Sequence, residues 1–286
     1  MEKRNADGLT EKEFLEQYQS GNYEKPSVTV DIMVLRMNKN LSKLQILLIQ
    51  RKDHPCIEQW ALPGGFINID ESAYEAACRE LKEETNLSKI YLEQLYTMSN
   101  PKRDPRMRII DIAYMALLPY EDTSIVKAGD DAKDAMWFDI CFDDDRTLNG
   151  QTSNLYLHNA EKNIKIEYQL QQKVFTNGRL KIHNWEPYWN KTVMNNSELA
   201  FDHVNIILEG LSRLRNKVLY TDVVFNLVPE EFTLVDLQKV YEEILCKELY
   251  RKNFREKIKE KVVSVAGKKA KPITGPREAQ VYKYKE

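Results

Sequence analysis

The chain has 286 residues, of which 42% are hydrophobic and 30% charged, and its formal charge is -2. That length allows two domains. No apolar run approaches the roughly 18 residues a membrane span needs. Met1-Glu2-Lys3-Arg4 is not followed by the apolar core of a signal peptide, so a cytoplasmic protein is expected. Cys56, Cys78, Cys141 and Cys246 are scattered without paired spacing and suggest neither a zinc site nor a disulfide framework. The charge is unevenly placed: residues 247–286 hold 13 Lys and Arg against 5 Asp and Glu, which leaves the rest of the chain acidic. An acidic body with a basic end points to a polyanionic partner at that end.

In chain order, residues 1–25 are polar, with a short helix predicted around Glu11–Tyr18. Ser27–Leu35 is rich in β-branched residues and alternates at its start, as a strand does. Asn38-Lys39-Asn40 reads as a turn, and Leu44–Gln50 as a buried strand paired with the first. A polar loop at Arg51–Pro55 and the run Trp60–Pro63 lead into Gly64-Gly65-Phe66.

Ser72 and Glu75 then form a capping-box pair, and good helix formers continue to Glu84. Asn86 follows, where the chain needs a left-handed residue to leave the helix. On this helix Glu80 lies one turn from Glu83 and Glu84, so three carboxylates share a face. They would repel one another unless a cation lay among them, and Mg²⁺ favours a few carboxylates together with substrate phosphates. A plain solvated acidic face with Arg79 as internal partner is the other reading of these residues alone.

The wider spacing bears on that choice. Gly65, five residues, Glu71, seven residues, then Arg79-Glu80-Leu81-x-Glu83-Glu84-x-Asn86-Leu87 resembles the Nudix box, the signature of hydrolases of nucleoside diphosphates linked to another moiety. Only Asn86 departs from it, standing where the family has Gly. The resemblance implies a Nudix α/β/α sandwich with a mixed sheet. It makes Glu80, Glu83 and Glu84 catalytic metal ligands for Mg²⁺, with Mn²⁺ as an alternative. Gly64 and Gly65 become the substrate-facing loop, and Glu71 and Arg79 structural partners within the box.

Tyr91–Met98 and Ile109–Leu118 are strand-like. Between them, Asn100–Arg108 reads either as a solvated loop or as a stiff loop whose Arg103 and Arg106 meet a diphosphate or a terminal ribose. It is similar to the corresponding loop of Nudix proteins that handle ADP-ribose. Asp130 and Asp131 read as a distal metal ligand or base, or as simple loop residues. Ala135–Phe138 is expected to be the last strand of the first domain.

Residues 141–195 read as a β-rich connector, with strands at Asn154–His158, Ile164–Phe175 and Leu180–Trp185 and a hairpin turn at Asn177-Gly178. From Glu198 apolar residues recur at helical spacing. A second helix follows Pro229 and Thr233, and a third, about Leu249–Glu260, is basic. A two-stranded basic hairpin ends the chain. Helix, helix, basic helix, basic hairpin is the order of a winged helix-turn-helix, whose third helix enters the major groove while the wing touches backbone. The DNA-contacting candidates are Arg251, Lys252, Asn253, Arg255, Lys268 and Lys269. A solubilising basic face is the bland alternative.

Leu199–His203, Phe232-Thr233-Leu234 and Lys252–Arg255 resemble the C-terminal module of the Nudix-related transcriptional regulators, the NrtR family. The expected organisation is α+β: a Nudix domain over 1–140, a β-hairpin insertion over 141–195 and a winged helix over 196–286. The resemblance implies an Mg²⁺-dependent pyrophosphohydrolase acting on ADP-ribose or a related nucleoside diphosphate sugar, joined to a DNA-binding module. Its alternative is a ligand-sensing regulator with little or no hydrolysis. Such proteins act as homodimers on double-stranded DNA. A third reading makes the C-terminal module a dimerisation or protein-contact element of a simple hydrolase.

Overall fold

The computed structural model describes residues 2–19, 21, 24–86, 90–120, 132–143, 152–172, 176–177, 180–181 and 189–285. Asp130, Asp131, Gly178 and the end of the Leu180–Trp185 stretch lie outside them. The elements begin with α1 (Glu11–Gln17), β1 (Ser27–Met37), β2 (Leu44–Arg51), β3 (Trp60–Ala61), β4 (Gly64–Phe66) and α2 (Ala73–Thr85). Then come β5 (Tyr91–Met98), β6 (Ile109–Leu118), β7 (Ala132–Asp143), β8 (Thr152–Asn159) and β9 (Ile164–Gln172). The small ladder β10 (Thr176–Asn177) and β11 (Leu180–Lys181) precedes β12 (Trp189–Val193) and α3 (His203–Lys217). A 3-10 turn at Val223–Leu227 leads to β13 (Phe232–Thr233), α4 (Leu234–Leu245), α5 (Arg251–Ile258), β14 (Val262–Ala270) and β15 (Ala279–Tyr284).

One mixed sheet dominates, in the order β12-β9-β8-β7-β2-β1-β6-β5, with β3 paired to β2 and β4 to β1. Its single parallel pair among the described residues is β1 with β6, in register from Ser27 opposite Ile109 to Arg36 opposite Leu118. Period-two alternation sends successive side chains to opposite faces. Val30, Ile32 and Val34 of β1, with Tyr114, Ala116 and Leu118 of β6, pack against Ala76, Ala77 and Leu81 of α2. Met33, Leu35 and Met37, with Ala113, Met115 and Leu117, pack on the other face against Ile206, Ile207, Leu211 and Leu214 of α3.

Three expectations change here. The helix at 203–217 was expected to open the winged-helix domain, but its apolar stripe seals the second face of the sheet and completes the sandwich. The divide expected between residues 140 and 141 falls inside β7. β8 and β9 pair with each other through a turn at 160–163, away from the Asn177-Gly178 turn that was expected, and they are hydrogen-bonded onto β7 and β12, so the described strands of the stretch extend the sheet. Leu155, Leu157, Ile166, Tyr168 and Leu170 of this extension are all buried in the core shared with α3.

The C-terminal module holds the 3-10 turn, α4, α5 and a three-stranded sheet ordered β13-β15-β14. Its core residues Leu237, Val240, Tyr241, Ile244, Phe254 and Ile258 are continuous with the α3 face of the large sheet. No helix among the described residues is long and apolar enough to cross a membrane.

The close approach of α3 to β1 depends on Gly210, where an added Cβ would stand 2.2 Å from Met33 Sδ. Gly210→Val is expected to lower unfolding free energy by about 1–3 kcal/mol through overpacking. Urea denaturation measures the loss, and adding Met33→Ala should recover part of it as a non-additive effect.

Candidate functional site

Helix α2 is delimited as its ends predict. Ser72 Oγ accepts from the Glu75 N–H at 3.3 Å, and the Ser72 N–H donates to Glu75 Oε2 at 2.8 Å. At the other end Asn86 adopts φ 60°, ψ 16° and donates its N–H to Lys82 O at 2.9 Å. The one departure from the box therefore takes the left-handed conformation that a glycine would supply.

Arg79 is the centre of the site. Its Nη2 and Nε donate to the two carboxylate oxygens of Glu71 at 2.6 and 3.0 Å, a fork that suits a planar guanidinium. Its Nη1 reaches Glu80 at 2.7 Å and Glu83 at 3.1 Å, and Nη2 also donates to the Phe66 carbonyl at 3.0 Å. One cation thus ties the glycine strand, the loop before α2 and the acidic face of α2. The Arg79 fork holds the Glu71 carboxyl down at about 2. Glu80 moves the other way: burial raises it, against Arg79, and the nearby Glu83 and Glu71 charges add to the rise.

Glycine is required beside Glu80. A Cβ on Gly65 would lie 2.1 Å from Glu80 Oε1, and one on Gly64 would lie 2.1 Å from the Val30 carbonyl. Gly64, Gly65, Glu71, Arg79, Glu80 and Glu83 therefore form one constellation. The side chain of Glu84 lies outside the described residues. Among the described residues no three His, Cys, Asp or Glu side chains are disposed to hold a metal ion. The donors present are nevertheless hard carboxylate oxygens, the kind Mg²⁺ takes. Glu80 is buried with less positive charge than it needs, while Glu83, 59% exposed, can leave Arg79. These donors fit a divalent cation.

The arginine loop divides into two roles. Arg106 stays at the surface, paired with Asp104 at 2.8 Å, its guanidinium carbon 5.6 Å from the Phe66 ring centre and 5.7 Å from that of Phe201. Arg103, expected beside Arg106 at the ligand, is drawn into a buried acidic cluster. Its side chain is only 5% exposed, with Nη2 2.8 Å from Asp202, 3.2 Å from Asp31 and 3.9 Å from Asp111. Burial works against its charge, yet the three aspartates keep its pKa above the usual arginine value. His203 adjoins the cluster: Nδ1 accepts the Leu62 N–H at 2.8 Å, and burial lowers its pKa. Sequence reasoning did not single out Asp31 or Asp111. The available signal was an acidic residue inside each of two apolar strands, SVTVDIMVL and IIDIAYMALL.

On α5, Arg251, Lys252, Asn253 and Arg255 are exposed while Phe254 and Ile258 are buried, so one face packs and the other is basic. In the wing Lys269 is exposed, whereas Lys268 is paired with Glu231.

Two family models match the chain: a NUDIX domain over residues 25–140 and an NrtR DNA-binding winged helix domain over 224–284. The second begins after α3, which ends at Lys217. The chain is 30% identical over 277 residues to the ADPR responsive transcriptional repressor NtrR of Acinetobacter baylyi, covering 96% of this chain and 88% of the relative. The chain belongs to the NrtR family. It is also 39% identical over 138 residues to the ADP-ribose pyrophosphatase of Methanocaldococcus jannaschii, covering 48% of this chain and 75% of that one. The NrtR-family fold is seen whole in Shewanella oneidensis NrtR complexed with a 27mer DNA, with TM-score 0.62 and 27% identity over 90% of this chain and 93% of that one.

Because the folded pKa of Glu71 is depressed, its pairing with Arg79 contributes stability that is complete above its unpaired value of 4.5 and is lost as pH falls toward about 2. The melting-temperature gap between wild type and Glu71→Gln should therefore narrow across that window. A gap independent of pH would show that the pair adds no stability.

Proposed function

We propose that this chain is a DNA-binding regulator whose Nudix domain binds ADP-ribose or a closely related nucleoside diphosphate sugar. The observation that carries this reading is α5, which buries Phe254 and Ile258 and turns Arg251, Lys252, Asn253 and Arg255 outward in the same chain as an Arg79-centred cluster of Glu71, Glu80 and Glu83. The relatives' names support the ligand: one is called ADPR responsive, another an ADP-ribose pyrophosphatase. In this reading α5 enters the major groove, Lys269 and Lys268 of the wing meet the backbone, and a homodimer reads two half-sites. A cytoplasmic location is consistent with this reading.

Hydrolysis is the second reading, favoured by the retention of Glu80 and Glu83 around Arg79. Glu80, Glu83 and Glu84 would hold Mg²⁺, or Mn²⁺ in its place. A bound divalent cation supplies neutralisation of the diphosphate and activation of water. Gly64 and Gly65 keep the wall opposite α2 free of side chains, and Arg79 holds the carboxylates on one side of it. The surface position of Arg106, beside Phe66, supports it as the arginine of the loop that would meet the ligand.

Duplex DNA selected from a random pool by the full chain should be released by ADP-ribose. Arg251→Ala should weaken binding and reduce the magnitude of the salt slope by about 1. DNA affinity indifferent to both the ligand and the variant would sink the regulator. With ADP-ribose and Mg²⁺, Glu83→Gln should lower turnover by about a hundredfold or more, as loss of a metal ligand does. Wild type that binds ADP-ribose without cleaving it would leave the sensor alone standing.

A further inference from the structure

The ion cluster around Arg103 lies between the ligand end of the Nudix domain and the first turn of α3. Arg103 belongs to the loop that also carries Arg106, and it grips Asp202 at the α3 N-terminus with a fork, Nη2 to Oδ1 at 2.8 Å and Nε to Oδ2 at 3.1 Å. The next residue, His203, accepts the Leu62 N–H just before the glycine loop. The Ala200 N–H donates to Trp60 O at 2.8 Å. The start of α3 is therefore fastened to both loops that border the box.

The other end of α3 is fastened to the DNA-reading module. Arg215 Nε donates to the Ile244 carbonyl at 3.1 Å and Nη2 to Cys246 Sγ at 2.8 Å, both at the C-terminus of α4. From α4 the contact passes to α5 through the edge-to-face pair Tyr241–Phe254, at 5.4 Å, and through Gln238 Nε2 to Leu249 O at 2.9 Å. A helix of 15 residues is about 22 Å long and moves as a body.

The cluster also has a second arrangement available. Asp111 is fully buried, its Oδ1 accepts from Thr29 at 3.1 Å, and its Oδ2 has no hydrogen-bond partner. Arg103 is 3.9 Å from that carboxylate, just short of a bond. Arg103 also bonds Asp31 Oδ2 at 3.2 Å, so an inward shift of the loop would keep that partner, satisfy Asp111 and loosen Asp202.

We propose that Arg103 is a latch: a ligand seated at the Nudix end draws the arginine loop inward, Arg103 exchanges Asp202 for Asp111, and the released α3 N-terminus lets the helix shift against α4 and α5. This rests on the reading that ADP-ribose binds at the box. It names the route by which occupancy reaches the DNA-reading helix.

The test is hydrogen–deuterium exchange of the full chain with and without the methylene-bridged analogue of ADP-ribose and Mg²⁺, which resists cleavage of the diphosphate. In wild type the analogue should protect residues 100–108 and change exchange across α5. Asp202→Ala and Arg215→Met, one at each end of α3, should keep the protection at 100–108 and lose the response of α5. Two variants at opposite ends leave one to decide if the other misfolds. Protection at 100–108 without a response of α5 in wild type, or a response that survives both variants, overturns the latch and leaves the ligand reading intact. No protection around the box in wild type overturns the ligand reading and the latch with it.

Discussion

Strand β1 sends apolar side chains to both faces, and a strand of that kind cannot keep either face in water. Val30, Ile32 and Val34 are covered by α2, and Met33, Leu35 and Met37 by α3. Burial of such side chains is worth about 1.5–3 kcal/mol each against leaving them exposed. The second face therefore needs a helix supplied from some 170 residues downstream of the first strand. That demand places α3 in the sandwich, and α3 in turn carries the winged helix against the same core. The two modules are joined by packing, not merely by chain.

The same sheet carries its buried carboxylates at one end. Thr29, Asp31 and Asp111 stand near the starts of the parallel pair β1 and β6, and the residues that answer them come from outside the sheet. Arg103 arrives from the loop before β6, and Asp202 and His203 from the start of α3. A buried charge without its partner costs several kcal/mol, so these elements hold one another in place. Arg79 performs the corresponding task at the surface of α2, where partial exposure keeps its carboxylates exchangeable. One guanidinium is buried among aspartates and the other stands part-exposed among the carboxylates of α2. The difference is burial, with Arg103 5% and Arg79 28% exposed.

Much of this was legible from local chemistry. Ser72 with Glu75 marked the start of α2, and Asn86 marked its end. The four-residue spacing of Arg79 and Glu83 put that pair on one helix face, whereas Glu71, outside the helix, reaches the same guanidinium through the loop before α2. β-branched content with alternation located β1, an apolar run located β2, β5 and β6 read as strand-like, and the basic α5 followed from the charge of its helix. These features depend on neighbours within a few residues, and the sequence displays such neighbours directly.

The partners that matter most were not legible, because each comes from far along the chain. Arg103 reads in sequence as a loop arginine beside Arg106, and only the approach of Asp31, Asp111 and Asp202 makes it a buried ion-cluster residue. The apolar stripe of α3 is the same whether it covers a sheet or another helix, so periodicity could not assign its domain. Residues 152–172 read as strands, yet which edge they join depends on hydrogen bonds to β7. The sequence by itself determined the elements, the box and the basic helix, since propensity, capping and spacing are local. Tertiary structure alone decided which face α3 covers and which arginine is buried, since burial is set by what other segments bring to the same place.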